Sequence, residues 1–300
     1  VAASEASQRS LDQATVHARG DATVLIVGPS GSGRKYFGRA IHARSRRVGQ
    51  PLVVFPVAST PEGLHEQELF GSANGSQTRS ENTAGYLAAA GSGTLLIDGL
   101  DKLSPPVRTA LVQALQSGSF RRPGQTDAVR VEARILATAN GEAELQSPDK
   151  LLGDVPVQTV TLQGLADRRE DVLPLAAHFL AEVSEQENIR PIGFTQDARN
   201  WLVEETWTGN VRELRERIRQ SVRIGNAGVI SAESLMLSTE GDVVLSFKDA
   251  KRAFETRYVE GLLRRCSGNI SRAARLAKKD RKNFYEVIRR TGVDPSAFRT

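Results

Sequence analysis

The stretch TVLIVGPSGSGRKYF, residues 23–37, decides the fold. It opens as a short, β-branched apolar run, entered from Gly20-Asp21 and ended by Gly28-Pro29, so residues 23–27 read as a buried strand. A Gly-rich loop follows, and a helical stretch from Tyr36 to about Arg44 closes the unit. A glycine loop between a strand and a helix lets backbone N–H groups wrap an anion at the helix N-terminus, where the dipole also favours negative charge. Gly28, Pro29, Ser30, Gly31, Ser32, Gly33, Arg34 and Lys35 are therefore the expected phosphate cradle; the bland alternative is a plain Gly-rich turn.

Working outward, further apolar runs at 52–57 (LVVFPV), 94–98 (TLLID) and 133–139 (ARILATA) alternate with helical segments such as 107–117. Strands alternating with helices predict an α/β fold, a three-layer parallel sheet covered on both faces. After about Leu165 the strand signal stops. Val172, Leu175, Ala176, Phe179, Leu180 and Val183 form a helical stripe, and 195–205 and 209–225 also read as helices. The stretch 237–246 has no helical period and carries a turn signal, as a linker would.

Three helices are expected at the end of the chain. Phe254, Tyr258 and Leu262 line the first, Ile270, Ala273, Ala274 and Ala277 the second, and Phe284, Val287, Ile288 and Thr291 the third. The connection Lys278-Lys279-Asp280 is short enough for a helix-turn-helix. The expected domains are 1–165 (α/β), 166–238 (helical), 239–247 (linker) and 248–300 (helix-turn-helix).

Charge divides along the same line. Residues 248–300 carry 15 Lys/Arg and 6 Asp/Glu, a net of +9, and the preceding 247 carry 25 and 29, a net of −4. A basic terminal module on a slightly acidic body is the electrostatic footprint of a nucleic-acid reader attached to something else. One cysteine excludes a disulfide framework, and Cys266 reads as a small buried hydrophobe. The four histidines, His17, His42, His65 and His178, are too scattered to form a metal cluster. No apolar run is long enough to span a membrane and no secretory signal is present, so a cytoplasmic protein is expected. Val1 at the start and Met236 as the only methionine suggest a processed or excerpted chain.

The phosphate loop departs from GxxxxGK[ST]. Arg34 stands where the lysine belongs, and Lys35 where a hydroxyl would help to hold Mg²⁺. Arg keeps the charge, but its planar fork cannot occupy the point between the β- and γ-phosphates that an ammonium takes. Leu95-Leu96-Ile97-Asp98-Gly99 resembles a Walker B strand, in which Asp98 would order Mg²⁺ and the next residue, normally Glu, would polarise the attacking water. Gly99 replaces that Glu, and losing a positioned base costs about 10²–10⁴ in rate.

ELFG (68–71), GSGTLLID (91–98), ADRREDVLPLAAHF (166–179) and WTGNVRELRERI (207–218) together resemble the central AAA+ domain of the sigma-54-dependent bacterial enhancer-binding activators. GNISRAARLAKKDRKNFYEVIRRTG (268–292) resembles the Fis-type helix-turn-helix of the same family. The resemblance covers nearly the whole chain. It implies ATP or ADP bound between subunits of a ring, Arg212 as the sensor II arginine, Asn140 as the sensor I polar residue, and dimerisation through the helix-turn-helix. The departures matter as much. Gly75-Ser76-Gln77-Thr78-Arg79-Ser80 stands where the family has its GAFTGA loop, which argues against sigma-54 RNA polymerase as a partner. Lys150-Leu151-Leu152-Gly153-Asp154-Val155 stands where the family supplies an arginine finger that stabilises transition-state charge.

The terminal module is expected to bind double-stranded DNA. Lys282, Tyr285 and Arg289 lie opposite the inward face of the last helix, with Arg281 and Asn283 near its N-terminal end. Arg pairs with guanine and Asn with adenine there, while lysines and arginines farther along hold phosphates, as Lys278 and Lys279 at the turn would also do. The leading expectation is a DNA-binding regulator whose AAA+ body assembles and binds nucleotide but hydrolyses it poorly or not at all. The alternatives are a working ATPase in which Arg34 and another acid replace the missing groups, and a sensor whose loop holds a regulatory nucleotide such as a cyclic dinucleotide.

Overall fold

The computed structural model describes residues 2–72, 84–141, 151–187, 193–224, 229–238, 247–277 and 279–298. Its strands, in chain order, are β1 (Thr23–Gly28), β2 (Leu52–Pro56), β3 (Thr94–Asp98), β4 (Ser119–Arg121), β5 (Ala128–Arg130), β6 (Arg134–Asn140) and β7 (Val157–Thr161). Five form one sheet in the order β2-β3-β6-β1-β7, parallel at every junction, and β4 pairs with β5 as a separate antiparallel hairpin.

The apolar runs are continuous because both faces of the sheet are covered. Leu25, Val27, Leu95, Ile97, Ile135 and Ala137 point to one face, where they meet Leu69 and Phe70 of α3 (His65–Phe70), Leu87 of α4 (Tyr86–Ala89), and Leu111 and Ala114 of α5 (Pro105–Ser117). The residues between them, Val24, Ile26, Leu96 and Leu136, point to the other face and meet Ala14 and Ala18 of α1 (Glu5–Ala18) and Ile41 of α2 (Arg34–Ala43). Period-two alternation thus feeds two cores from the same strands. His42, on α2, is buried with its Nδ1 2.9 Å from the Thr94 hydroxyl; burial and the charge of Arg134 lower its pKa, so it packs as a neutral ring.

The four expected strands are present, each within a residue or two of its expected ends. Sequence patterning did not indicate α1, the β4–β5 hairpin or β7. α1 presents Ser7, Ser10, Ala14 and Ala18 inward, a face of small residues with no apolar stripe. β7 sits at the sheet edge with a single fully buried residue, Val160.

The chain divides into two compact units, Val1–His178 with Leu202–Arg215, and Phe179–Trp201 with Glu216–Thr300. Beyond the sheet come α6 (Val172–Glu187), α7 (Gln196–Glu204), α8 (Asn210–Ile224) and α9 (Ala232–Leu237), and the stripe read on α6 is borne out by burial of Val172, Ala176, Phe179, Leu180 and Val183. Most of the expected linker, 239–246, lies outside the described residues.

The last helices are α10 (Phe247–Arg265), α11 (Ile270–Leu276) and α12 (Arg281–Thr291), packed on a core of Val259, Leu262, Leu263, Cys266, Ala273, Ala274, Phe284 and Ile288. The expected face of α10 is corrected here. Val259, Leu262, Leu263 and Cys266, at i, i+3, i+4 and i+7, form the inward stripe, and Tyr258 is 40% exposed.

One buried carboxylate ties the first unit together. Asp171 accepts from the backbone N–H groups of Ala3 (2.6 Å) and Ser4 (2.7 Å) and from the hydroxyls of Ser4 and Ser7, and Arg168 pairs with it at 3.8 Å. Desolvation raises its pKa, but the hydrogen bonds from Ser7, Ser4 and Ala3 outweigh it and hold the group below its ordinary 3.8. The stabilisation from this carboxylate is therefore full above pH 3.8 and is lost as pH falls through the depressed folded value. Asp171→Ala strands the buried Arg168 charge and should destabilise by about 3 kcal/mol or more, read as a lowered urea midpoint at neutral pH. The variant should also lose less stability than the parent protein between pH 5 and the acid limit.

Candidate functional site

The loop between β1 and α2, the expected anion cradle, has its backbone carbonyls engaged within the protein. The Gly28 carbonyl accepts from Arg34 (2.7 Å) and from the Gly141 N–H (3.2 Å), and the Pro29 carbonyl from Ser32 N–H (3.2 Å). The Ser30 carbonyl accepts from the Asn210 side-chain amide (2.8 Å), the Gly31 carbonyl from Arg212 N–H (3.2 Å), the Ser32 carbonyl from Arg168 (2.8 Å) and the Gly33 carbonyl from Phe37 N–H (3.1 Å). Six consecutive carbonyls are thus satisfied within the protein. Gly31 and Gly33 adopt φ of 77° and 102°, the left-handed conformation that a backbone nest requires. α2 starts at Gly33 with no side-chain cap and no acid in its first turn, so its leading N–H groups, which have no intrahelical acceptor, remain for an anion.

The strand ends converge beside this loop because the register sets Gly28 opposite Asn140 and Asp98 opposite Thr138. The Thr138 hydroxyl donates to Asp98 Oδ1 at 2.9 Å and accepts from the Gly99 N–H at 3.0 Å. Lys35 Nζ lies 3.8 Å from Asp98 Oδ2. Gly99 has φ of 98°, and no carboxylate stands at the position after Asp98. Asp101, two residues on, accepts from the Asn140 N–H at 3.3 Å. The side-chain oxygen of Asn140 is buried without a hydrogen-bond partner. The nest and its two cations fit a polyphosphate. They do not fit a Mg²⁺ ion at Asp98, because an ammonium already faces that carboxylate and Lys35 supplies no oxygen ligand.

The stretch 207–214 (WTGNVREL) works as an anchor for the loop. Trp207 is buried and donates its indole N–H to the Leu202 carbonyl at 2.8 Å. Glu213 accepts from the Gly209 N–H at 2.8 Å, capping the start of α8. Asn210, at φ of 58°, spans the junction: its amide holds the Ser30 carbonyl and its oxygen accepts the Leu165 N–H at 2.7 Å. A Cβ on Gly31 would lie 2.2 Å from the Gly209 carbonyl, so only glycine admits this approach. Arg212 meets the loop through its backbone N–H. Asn210, Arg168, Thr138 and Asp101 were not singled out by the sequence, since each acts here on a partner at least 39 residues away.

The other expected elements fall as follows. Leu151 and Leu152 are buried in the core at the expected finger segment, and Gly153, Asp154 and Val155 complete its described part without an arginine; Lys150 lies outside the described residues. Residues 75–80 and Lys278 also lie outside them. Arg281, Lys282, Tyr285 and Arg289 are exposed along α12, and Lys279 is exposed before it. Asn283 is exposed too, but its amide donates to Asp280, whose carboxylate also caps the helix by accepting the Asn283 N–H at 2.9 Å. Its carboxamide is therefore held along the helix end rather than directed outward.

A glycine nest after the first strand, an acid closing a neighbouring strand and a helical lid with its asparagine on the loop define an AAA+ P-loop protein. Residues 1–152 match the sigma-54 interaction domain family and residues 166–243 the AAA+ ATPase lid domain family, and the chain belongs to the sigma-54 interaction domain family. Its relatives include the transcriptional regulatory proteins GlrR of Escherichia coli strain K12 (32% identical, covering 97% of this chain and 67% of GlrR) and ZraR of Klebsiella oxytoca (32%, covering 96% and 68%). Crystal structures of NtrX from Brucella abortus in complex with ADP and with ATP superpose with TM-scores of 0.71 and 0.69 at 26% and 27% identity, covering 98% of this chain and 70% and 69% of NtrX. No described helix is long and apolar enough to cross a membrane.

Asn210→Ala removes three side-chain hydrogen bonds and leaves the Leu165 N–H and the Ser30 carbonyl without their partner, at a residue whose positive φ alanine tolerates poorly. It should cost about 2–3 kcal/mol in denaturant unfolding and weaken phosphate-ligand binding, whereas Thr208→Ala, two residues earlier and exposed, should leave both within error.

Proposed function

We propose that this chain is a DNA-binding transcription regulator whose AAA+ body binds a nucleoside di- or triphosphate and assembles without sustaining an ATP cycle. The observation that carries the reading is Gly99: the residue after the strand-end acid has no side chain with which to polarise water. Leu151 and Leu152, turned into the core at the finger segment, speak for the same conclusion, and NtrX complexes with ADP and ATP support a nucleotide in this cradle. By family likeness Arg212 and Asn140 would sense that nucleotide, and subunits would pair through the helix-turn-helix and ring through the body. The family's description as a sigma-54 interaction domain favours sigma-54 as a partner, which the sequence at 75–80 argues against.

The DNA-reading end is inferred from a net of +9 over residues 248–300, gathered on a three-helix module in which only Ala277 to Asp280 separate α11 from α12. Arg281, Lys282, Tyr285, Arg289 and Lys279 are its exposed candidates. A second reading, a working ATPase, is favoured by one observation: Asp101 lies against Asn140, close to where the missing base would act.

Phosphate release and calorimetric titration on one preparation separate these readings. Binding of ATP or ADP with turnover at background is the expected result. Turnover at ordinary AAA+ rates, lost in Asp101→Asn, establishes the second reading instead, and binding of cyclic di-GMP with neither ATP nor ADP makes the site a cyclic-dinucleotide sensor. Affinity for operator DNA should fall steeply with salt, log K dropping by about 0.9 per phosphate contact for each decade. Lys279→Ala should weaken all sequences alike and lower that slope by about 1, while Arg281→Ala should cost about 10-fold on the preferred sequence and relax base preference at one position.

A further inference from the structure

A P-loop protein ordinarily neutralises the polyphosphate with a dication, held by the hydroxyl that follows the loop lysine and oriented by the acid at the end of the neighbouring strand. Neither half of that arrangement is intact in this chain. The hydroxyl position is Lys35, whose ammonium has three donors and no lone pair and so is not a metal ligand at neutral pH. The acid, Asp98, has Lys35 Nζ 3.8 Å from its Oδ2 and the Thr138 hydroxyl 2.9 Å from its Oδ1. Both carboxylate oxygens are addressed, one of them by a full positive charge. A dication entering beside Asp98 would have to displace that charge while gaining one ligand fewer than usual. Among the described residues no group of three or more His, Cys, Asp or Glu offers a replacement.

The pair is not sealed inside the protein. The side chains of Lys35 and Asp98 are 40% and 32% exposed, so an incoming ligand can reach the ammonium. Lys35 is the second residue of α2, at the helix end whose N–H groups already favour an anion, and Arg34 stands beside it. The cation that Asp98 would normally recruit from solution is thus built into the chain.

We propose that the Lys35 ammonium, held by Asp98, takes the place of Mg²⁺, and that the site binds its nucleoside di- or triphosphate as the metal-free anion. This rests on the reading that a nucleotide occupies the cradle. A monovalent ammonium on a flexible stem neutralises phosphate charge, but it does not bridge two phosphate oxygens in the fixed geometry that a dication imposes. The same substitution therefore gives retention of the ligand together with poor turnover. Mg²⁺ in solution, by complexing the free nucleotide, competes with the site instead of completing it.

Calorimetric titration of ATP and of ADP into the full chain, in excess EDTA and then in millimolar MgCl₂, tests this directly on the unaltered protein. Affinity in EDTA should exceed that in MgCl₂, where Mg²⁺ withdraws free nucleotide from the site. Lys35→Thr, a substitution at an accessible first-turn position, should lose about 10-fold in EDTA, as expected for one charge-assisted hydrogen bond, and recover affinity when Mg²⁺ is added. Wild-type affinity that rises several-fold with Mg²⁺ overturns the proposal and leaves nucleotide binding standing. Wild-type affinity indifferent to Mg²⁺ with Lys35→Thr unchanged in EDTA also overturns it, since Lys35 is then not the cation. No binding of either nucleotide under either condition overturns both this proposal and the reading on which it rests.

Discussion

A single buried guanidinium joins segments that lie far apart in the chain. Arg168 donates to the Ser32 carbonyl of the phosphate loop and to the Ser7 hydroxyl of α1, and it faces Asp171 at 3.8 Å. Burial pushes its pKa down while Asp171 raises it, and the carboxylate is itself held by two backbone N–H groups and two hydroxyls, which offset the cost of burying the pair. The sheet supplies a rigid floor; this cluster fixes the loop and the first helix upon it. An ordinary leucine core would not do so, because apolar contacts are non-directional and would leave the Ser32 carbonyl without a partner.

On that floor, the chemistry of the site has been exchanged rather than simply deleted. Where the family resemblance implies a base, a hydroxyl and a lysine, this chain carries Gly99, Lys35 and Arg34, so under the proposed reading the site lacks a group that activates water while keeping two positive charges. Parallel register still delivers Asp98, Thr138 and Asn140 to the same end of the sheet, as it does wherever ligands bind at the carboxyl ends of parallel strands. Fold and catalysis separate cleanly here, since the first depends on the apolar alternation within the strands and the second on three or four residues beyond their ends.

Much of this was legible in the sequence. The run at 23–27 identified a strand of the parallel sheet, because a strand buried on two faces has no polar alternation to disguise it, and the glycines after it identified a loop of positive-φ residues at its end. What escaped had physical reasons. The inward face of α1 is serine and alanine: Ser7 donates to Asp171, 164 positions away, while Ala14 and Ala18 pack on the sheet, and so small a set makes no apolar stripe. β7 is an edge strand, with one face too polar to read as core. On α10 two helical stripes share Leu262, and the packing of Val259 and Leu263, which sequence periodicity does not rank, selects one over the other. Asn283 carries a local tie to Asp280, three residues back, that competes for its amide and that periodicity does not reveal. The Lys35–Asp98 pair links positions 63 apart, and only the sheet register makes them neighbours.

The six engaged carbonyls of residues 28–33 have a consequence for how such a protein can change over generations. Their partners come from Gly141, Arg168, Asn210, Arg212, Phe37 and the loop itself as well as Arg34, so the direction in which the peptide dipoles point is set mostly from outside the loop. Any preference for an anion is stored in backbone orientation, set mostly by residues outside the loop. The side chain at 34 still holds the Gly28 carbonyl, whereas the one at 35, turned to Asp98, can change without disturbing the cradle's backbone. A loop built this way can outlive the enzyme that first used it, keeping its taste for phosphate after the reaction has gone.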